Sequence, residues 1–183
     1  NFKDSLIKMT KDNHYIDFKI RESNTSNLKS EKRKLSKQMQ NVTYNNITDD
    51  IAIEYQTLSN KVKETIILQN AKYSKISFEL DTNLNLIEKN GEIIARDENK
   101  KIVFKIEKPF MIDNNKIRND NIYYRIEKFN ELYLLTLILD DEWLNSNERK
   151  FPVYIDPTIT NNSQNTSLYD TYIYPGDSDD VRY

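Results

Sequence analysis

A chain of 183 residues has room for one substantial domain, or for one domain and a fragment of a second. Two glycines, no cysteine and a single histidine, His14, leave no glycine-cradled phosphate loop, dinucleotide fingerprint, disulfide, thiolate zinc site or iron–sulfur cluster, and little metal or triad chemistry. Twenty-seven basic against 29 acidic residues, a net charge of -2, exclude a global field that would draw the protein to nucleic acid or an anionic membrane.

Tyr15, Asp17 and Lys19 alternate with Ile16, Phe18 and Ile20, a period of two that predicts a half-buried strand over residues 15–20. Residues 22–40 then turn almost wholly polar, with Lys29, Lys32, Arg33, Lys34 and Lys37 opposed locally by Glu31. They read as a solvated loop or frayed helix; a polyanion contact is the other reading, and no aromatic is interleaved there to stack on bases.

From Val42 onward strand signals are nearly continuous. Ile51, Ile53 and Tyr55 alternate with Ala52, Glu54 and Gln56, Ser59-Asn60 offers a turn, and residues 62–68 return as a β-branched run, which outlines a hairpin. Ile76, Phe78 and Leu80, then Leu84 and Leu86, keep the period of two. Asn90-Gly91, where both positions tolerate positive φ, predicts a tight turn joining residues 84–89 to 92–96. A polar turn at 97–100 precedes the alternation of Ile102, Phe104 and Ile106, which Pro109 ends. After a polar connection at 113–120 come a strand over 122–127 and the run 132–139, apolar but for Thr136, of the kind buried on both faces. Helix is expected only in short pieces, at 141–147 or in the basic stretch before Val42. Phe151, Val153 and Ile155 alternate with Tyr154 and Asp156 in a last strand, which Pro152 places at an edge or a strand start. The Asn-, Thr- and Ser-rich residues 158–167 read as a linker, and a new strand starts at Tyr169.

Strands recurring at this spacing predict an all-β fold: a twisted antiparallel β-sandwich of about ten strands over residues 42–158. Residues 1–41 would be a polar N-terminal extension with one strand and the basic segment; residues 159–183 would be a linker and the first strand of a truncated second β module. The start at Asn1, with no apolar leader, reads as a processed or excised piece of a longer protein. No window approaches the roughly 18 apolar residues that span a bilayer, so no membrane insertion is expected.

Several patterns, taken in order, resemble a known family. They are Val42-Thr43-Tyr44, the strand over 51–55, Val62-Lys63-Glu64-Thr65-Ile66, Pro109-Phe110-Met111-Ile112-Asp113, Glu142-Trp143-Leu144, and Phe151-Pro152-Val153-Tyr154-Ile155-Asp156-Pro157-Thr158. Together they resemble the β-rich region preceding DNRLRE-type modules in large secreted or wall-associated bacterial proteins, including some of the YD-repeat (Rhs-like) polymorphic toxin class. Asp170-Thr171-Tyr172-Ile173 resembles the opening of a DNRLRE module itself. The resemblance implies a secreted or cell-surface protein, a structural and carbohydrate-associated module, and no catalytic residues. A whole DNRLRE module resembles a jelly roll and needs far more chain than the roughly 20 residues left after the linker, so its first strand would have to pair with something else.

The lack of cysteine fits a Gram-positive surface protein. The expected role is a non-catalytic structural or spacer module of an exported cell-surface protein. The alternatives are a carbohydrate-binding adhesion module and an N-terminal scaffold piece of a YD-repeat toxin or delivery particle. Expected partners are other domains of the same polypeptide and cell-wall or host glycans, with no nucleic acid. For glycan stacking the candidate platforms are Tyr123, Tyr124, Trp143, Tyr172 and Tyr174, each weighed against ordinary packing. Asp170, Asp177, Asp179 and Asp180 put carboxylates where they could hold Ca²⁺, the one candidate cofactor, against the plainer reading of a solvated acidic turn. Lys63-Glu64 raises the Lys, Asn and acid set of self-crosslinking surface domains, against an ordinary ion pair. His14 has no second histidine with which to share a metal.

Overall fold

Period-two patterning becomes strand along nearly the whole computed structural model, which describes residues 5–20, 29–34, 40–58, 61–161 and 170–173. The strands are β1 (Ser5–Lys11), β2 (His14–Ile20), β3 (Lys29–Lys34), β4 (Gln40–Thr48), β5 (Ile51–Thr57), β6 (Lys61–Leu68), β7 (Lys75–Thr82), β8 (Asn85–Lys89) and β9 (Glu92–Arg96). They continue as β10 (Ile102–Ile106), β11 (Met111–Ile112), β12 (Arg118–Asn119), β13 (Tyr123–Phe129), β14 (Leu132–Ile138), β15 (Val153–Ile155), β16 (Thr158–Asn161) and β17 (Asp170–Ile173), with one helix among the described residues, α1 (Asp141–Leu144). The expected all-β antiparallel architecture is what is found.

Among the described residues one sheet has six strands in the order β13-β14-β7-β2-β1-β17. The other has eleven and is organised around β6. Along one edge of β6 runs β5, followed by β4 and β3. Along its other edge lie β15 and then β16, end to end, with Val153 opposite Leu68 and Thr158 opposite Lys63. Pro157, which has no N–H to donate, falls at the break between them. From that break the sheet forks, through β15 to β11 and β12 and through β16 to β10, β9 and β8. In β6 the inward positions Val62, Glu64, Ile66 and Leu68 are all buried. Apolar side chains of both sheets form one core, with edge-on ring pairs Phe18–Phe78 at 6.5 Å and Tyr44–Tyr55 at 6.0 Å.

The Asn90-Gly91 turn joins β8 to β9 as expected, with φ of 57° and 83°. Four other expectations are corrected. β1 went unread, because buried Leu6 and Ile7 are adjacent and a register shift between Ser5 and Ile7 breaks the alternation. The basic stretch is not a loop over Lys29–Lys34 but, among the described residues, an edge strand paired with β4, a position that lysines suit because they discourage further pairing. Thr158–Asn161 is not linker but a strand between β6 and β10, with Ile159 fully buried; its β-branched Thr-Ile-Thr favours a strand despite the polar composition. The run 132–139 is buried on one face, through Tyr133, Leu135 and Leu137, and on the other is half-buried apart from the buried Thr136.

The strand at residues 170–173 does have a partner: β17 pairs antiparallel with β1, Ile173 opposite Ile7. β1 and β2 in turn share a sheet with β7, Phe18 lying opposite Leu80.

Tyrosine hydroxyls tie the two sheets together. Tyr44 of β4 donates to the Leu6 carbonyl of β1 at 2.8 Å, Tyr124 of β13 to the Glu107 carbonyl at 3.1 Å, and Tyr133 of β14 to Asn85 Oδ1 at 3.2 Å. Each ring fills core volume while its hydroxyl satisfies a polar group of the opposite sheet. Tyr44→Phe keeps the ring and orphans the Leu6 carbonyl; it is expected to cost about 1–2 kcal/mol, read from chemical denaturation with an unchanged slope.

Candidate functional site

The family-like motifs converge on a cluster around α1. Asp140 caps that helix, its Oδ1 accepting from the Trp143 N–H at 2.9 Å, while Oδ2 accepts from the Asn119 and Asn121 side-chain amides at 3.0 and 2.9 Å. The backbone N–H of Trp143, then the two amides, hold the Asp140 carboxyl below its usual range. Beside it Arg149 Nη1 meets Asp113 Oδ2 at 2.7 Å, with the two side chains only 5% and 0% exposed. Asp113 Oδ1 accepts from the Ile117 N–H at 2.9 Å, Arg149 Nε donates to the Trp143 carbonyl at 3.1 Å, and the guanidinium stacks 3.5 Å over the Trp143 ring. Burial works to raise the Asp113 carboxyl, but the backbone N–H groups of Ile117 and Lys150, with Arg149, outweigh it and hold the group below the ordinary value.

A second cluster lies in the core. Glu64 is 2% exposed and accepts from the Tyr55 hydroxyl at 3.0 Å. Burial pushes its carboxyl up to about 8, against the lowering effect of the Tyr55 bond and with a further push from Asp156. The acid is therefore mostly protonated at neutral pH. Burial also raises the Tyr55 and Tyr124 hydroxyls well above their ordinary range, with Glu64 adding to both.

Both clusters are internally satisfied, which is the signature of bracing. Asp140→Ala removes a cap and two amide acceptors, and is expected to lower stability by about 1–2 kcal/mol, measured by calorimetry.

Of the residues singled out from sequence, Tyr123 is 51% exposed. Tyr124, read as an exposed platform, is instead 5% exposed with its hydroxyl turned to Glu107: in β13 neighbouring side chains take opposite faces, so the pair cannot both be outside. Trp143 is half-buried against the core with Arg149 over its ring. Tyr172 is placed in β17 opposite Lys8, and Asp170 opposite Thr10. Tyr174, Asp177, Asp179 and Asp180 lie outside the described residues. Among the described residues no group of three His, Asp or Glu side chains could hold a metal ion. Lys63 Nζ pairs with Asp156 at 2.9 Å while Glu64 points inward, so strand alternation separates the two and the ordinary ion pair replaces the crosslink idea. Sequence reasoning missed Arg149, Asp140, Asn119 and Asn121, whose partners lie 3 to 36 positions away with no periodicity to mark them.

Fold and clusters define an antiparallel β-sandwich module braced by buried charge. No family model and no solved structure matches the chain. Among characterised proteins, it is 35% identical over 128 residues to the tRNA nuclease WapA of Bacillus subtilis (strain 168) and 34% identical over 128 residues to the tRNA3(Ser)-specific nuclease WapA of Bacillus spizizenii. Each match covers 65% of this chain and 6% of the relative, so the chain corresponds to a small part of those proteins. It is also 28% identical over 90 residues, 49% of this chain and 35% of the relative, to a wall-associated protein of Geobacillus stearothermophilus.

These likenesses bear out a module of a wall-associated protein at the cell surface or secreted. They overturn two expectations. The chain was classed as non-enzymatic and without a nucleic-acid partner, yet relatives carry the names of nucleases acting on tRNA. Counting missing glycines, cysteines and histidines in a segment matching 6% of a relative cannot exclude RNA chemistry from such a protein.

Proposed function

We propose that the chain is a scaffold module of a large wall-associated protein of the YD-repeat polymorphic toxin class, leading into a DNRLRE-like segment at its C-terminal end. The observation that carries this reading is the likeness, over 128 residues, to proteins many times longer named as tRNA nucleases WapA, together with the likeness to a relative named a wall-associated protein. The cross-sheet tyrosines and the two buried clusters support it, since they hold a sandwich together rather than open a cleft. In the whole protein, deletion of residues 42–161 should lower the intact polypeptide recovered from the cell-wall fraction and increase its fragments in the medium. Wall-fraction recovery equal to the parent's, with no added fragments, would overturn the scaffold role.

We propose also that the whole protein acts on RNA, as the names of three relatives say of those proteins. Incubation with tRNA, read on denaturing gels, tests this; tRNA left intact by the whole protein counts against it.

A further inference from the structure

A pocket of about 300 Å³ opens away from both clusters, where the β7–β8 turn, the end of β9 and the β13–β14 hairpin meet. Its floor is fixed: Asn83 accepts from the Tyr15 N–H at 3.1 Å and donates to the Asn13 carbonyl at 2.9 Å, and the Tyr133 hydroxyl holds Asn85 Oδ1 while accepting from the Leu86 N–H at 3.4 Å. Asp97 Oδ1 accepts from the Lys101 N–H at 2.8 Å and pins the turn after β9.

The walls differ from the floor. Arg96 presents a buried Nε with no hydrogen-bond partner among the described residues. Lys128 lies 5.4 Å from the Tyr133 ring and forms no ion pair among the described residues, and Glu98 and Glu131 are exposed carboxylates likewise without one. Two cations and three carboxylates thus line one small space without neutralising each other. Arg96 forms no ion pair among the described residues, so its guanidinium is not committed to a protein carboxylate and can donate to a ligand oxygen.

We propose that this pocket binds a neutral, polyhydroxylated ligand, one or two rings of a saccharide. The carboxylates would repel a phosphate-bearing chain, and Arg96 and Lys128 would repel a polyamine. The three carboxylates do not converge as metal ligands do. A sugar ring carries no charge, and each hydroxyl both donates and accepts, which suits walls holding carboxylate acceptors beside guanidinium, ammonium and amide donors. The volume lies at the lower end of the range for small-molecule sites, which suits a disaccharide at most. Recognition here runs through polar groups and not through a stacked ring, since Tyr133 is 5% exposed and its hydroxyl is held by Asn85 and Leu86. The inference stands apart from the scaffold reading and does not need it.

The test is a two-dimensional amide NMR titration of the whole 183-residue chain with maltose, cellobiose, lactose and N,N′-diacetylchitobiose, and with 5′-AMP as the charged control. At least one disaccharide should give saturable shifts confined to residues 82–85, 96–98 and 128–133. Arg96→Met and Glu131→Gln should each weaken that response about tenfold or more. Glu131 sits on an exposed hairpin turn, so its variant should melt with the parent and report on binding alone. The proposal is overturned if no disaccharide moves these amides, if the shifts persist at full strength in both variants, or if 5′-AMP saturates the same amides more tightly.

Discussion

Replacing Arg149 with Met should lower the melting temperature by roughly 10 °C, the largest effect expected from a single change in this protein. The substitution leaves the Asp113 carboxylate, itself 0% exposed, facing an apolar side chain, and removing one partner of a buried pair costs about 3–5 kcal/mol because the remaining charge stays desolvated. The Trp143 carbonyl also loses its Nε donor, and the indole loses its stacked cation. The pH dependence identifies the cause. Asp113 in the parent is held below its ordinary value of 3.8, so its contribution is present above that value and is lost only as pH falls through the lower folded value. In Arg149→Met the partner is gone and burial dominates, so the deficit should shrink in acid as Asp113 takes a proton. Asp113→Asn combined with Arg149→Met should recover part of the loss at neutral pH, because no charge is then stranded. Arg149→Lys should fall between, keeping the charge but not the planar stack. Thermal unfolding of the parent and these three variants at neutral and acid pH checks all of this; equal deficits at both pH values would remove Asp113 from the explanation.

Glu64→Gln should act with the opposite sign in alkaline solution. The folded carboxyl titrates at about 8 against an ordinary 4.5, so between those values the native state holds a proton that the unfolded chain has released. Stability therefore falls as pH rises through that window: the penalty is absent below about 4.5 and complete above about 8. At 1.36 kcal/mol per pH unit the shift corresponds to about 5 kcal/mol as an upper bound. Gln cannot ionise, and its Oε1 can still accept from the Tyr55 hydroxyl. The variant should melt within about a degree of the parent at pH 4 and several degrees above it at pH 9. An unchanged difference between the two pH values would show that Glu64 is not the titrating group.

The two clusters show how unevenly such a protein is written in its sequence. Glu64 lies within a legible strand, and the alternation of Val62, Ile66 and Leu68 already places it on the buried face. That it is protonated follows only from its depth, with a further push from Asp156, and against the bond donated by Tyr55, nine positions away on the neighbouring strand. Asp113 stood in a recognisable motif, but Arg149 is 36 residues distant with no periodicity to mark it. Tyr124 shows the limit from the other side: an aromatic pair in sequence is one inside and one outside in a strand, and composition cannot say which. The pocket went unread for the same reason as the Asp113–Arg149 pair, since its wall comes from three turns between residues 82 and 133.

By itself the sequence determined most of the strands and the Asn90-Gly91 turn, because period two and the positive-φ demand of that turn are local properties of a few neighbouring residues; β1, β3 and β16, where the alternation is broken or the composition polar, it did not. It also determined the all-β class and, through ordered motifs, the cell-surface character. Only the tertiary structure decided which strands are neighbours: that β17 returns to β1, that the polar Thr158–Asn161 runs inside a sheet, and that β15 and β16 share one edge of β6. Backbone hydrogen bonds between strands are indifferent to side-chain identity, so pairing is settled by which faces can be buried together, a property of the whole chain and of no segment within it.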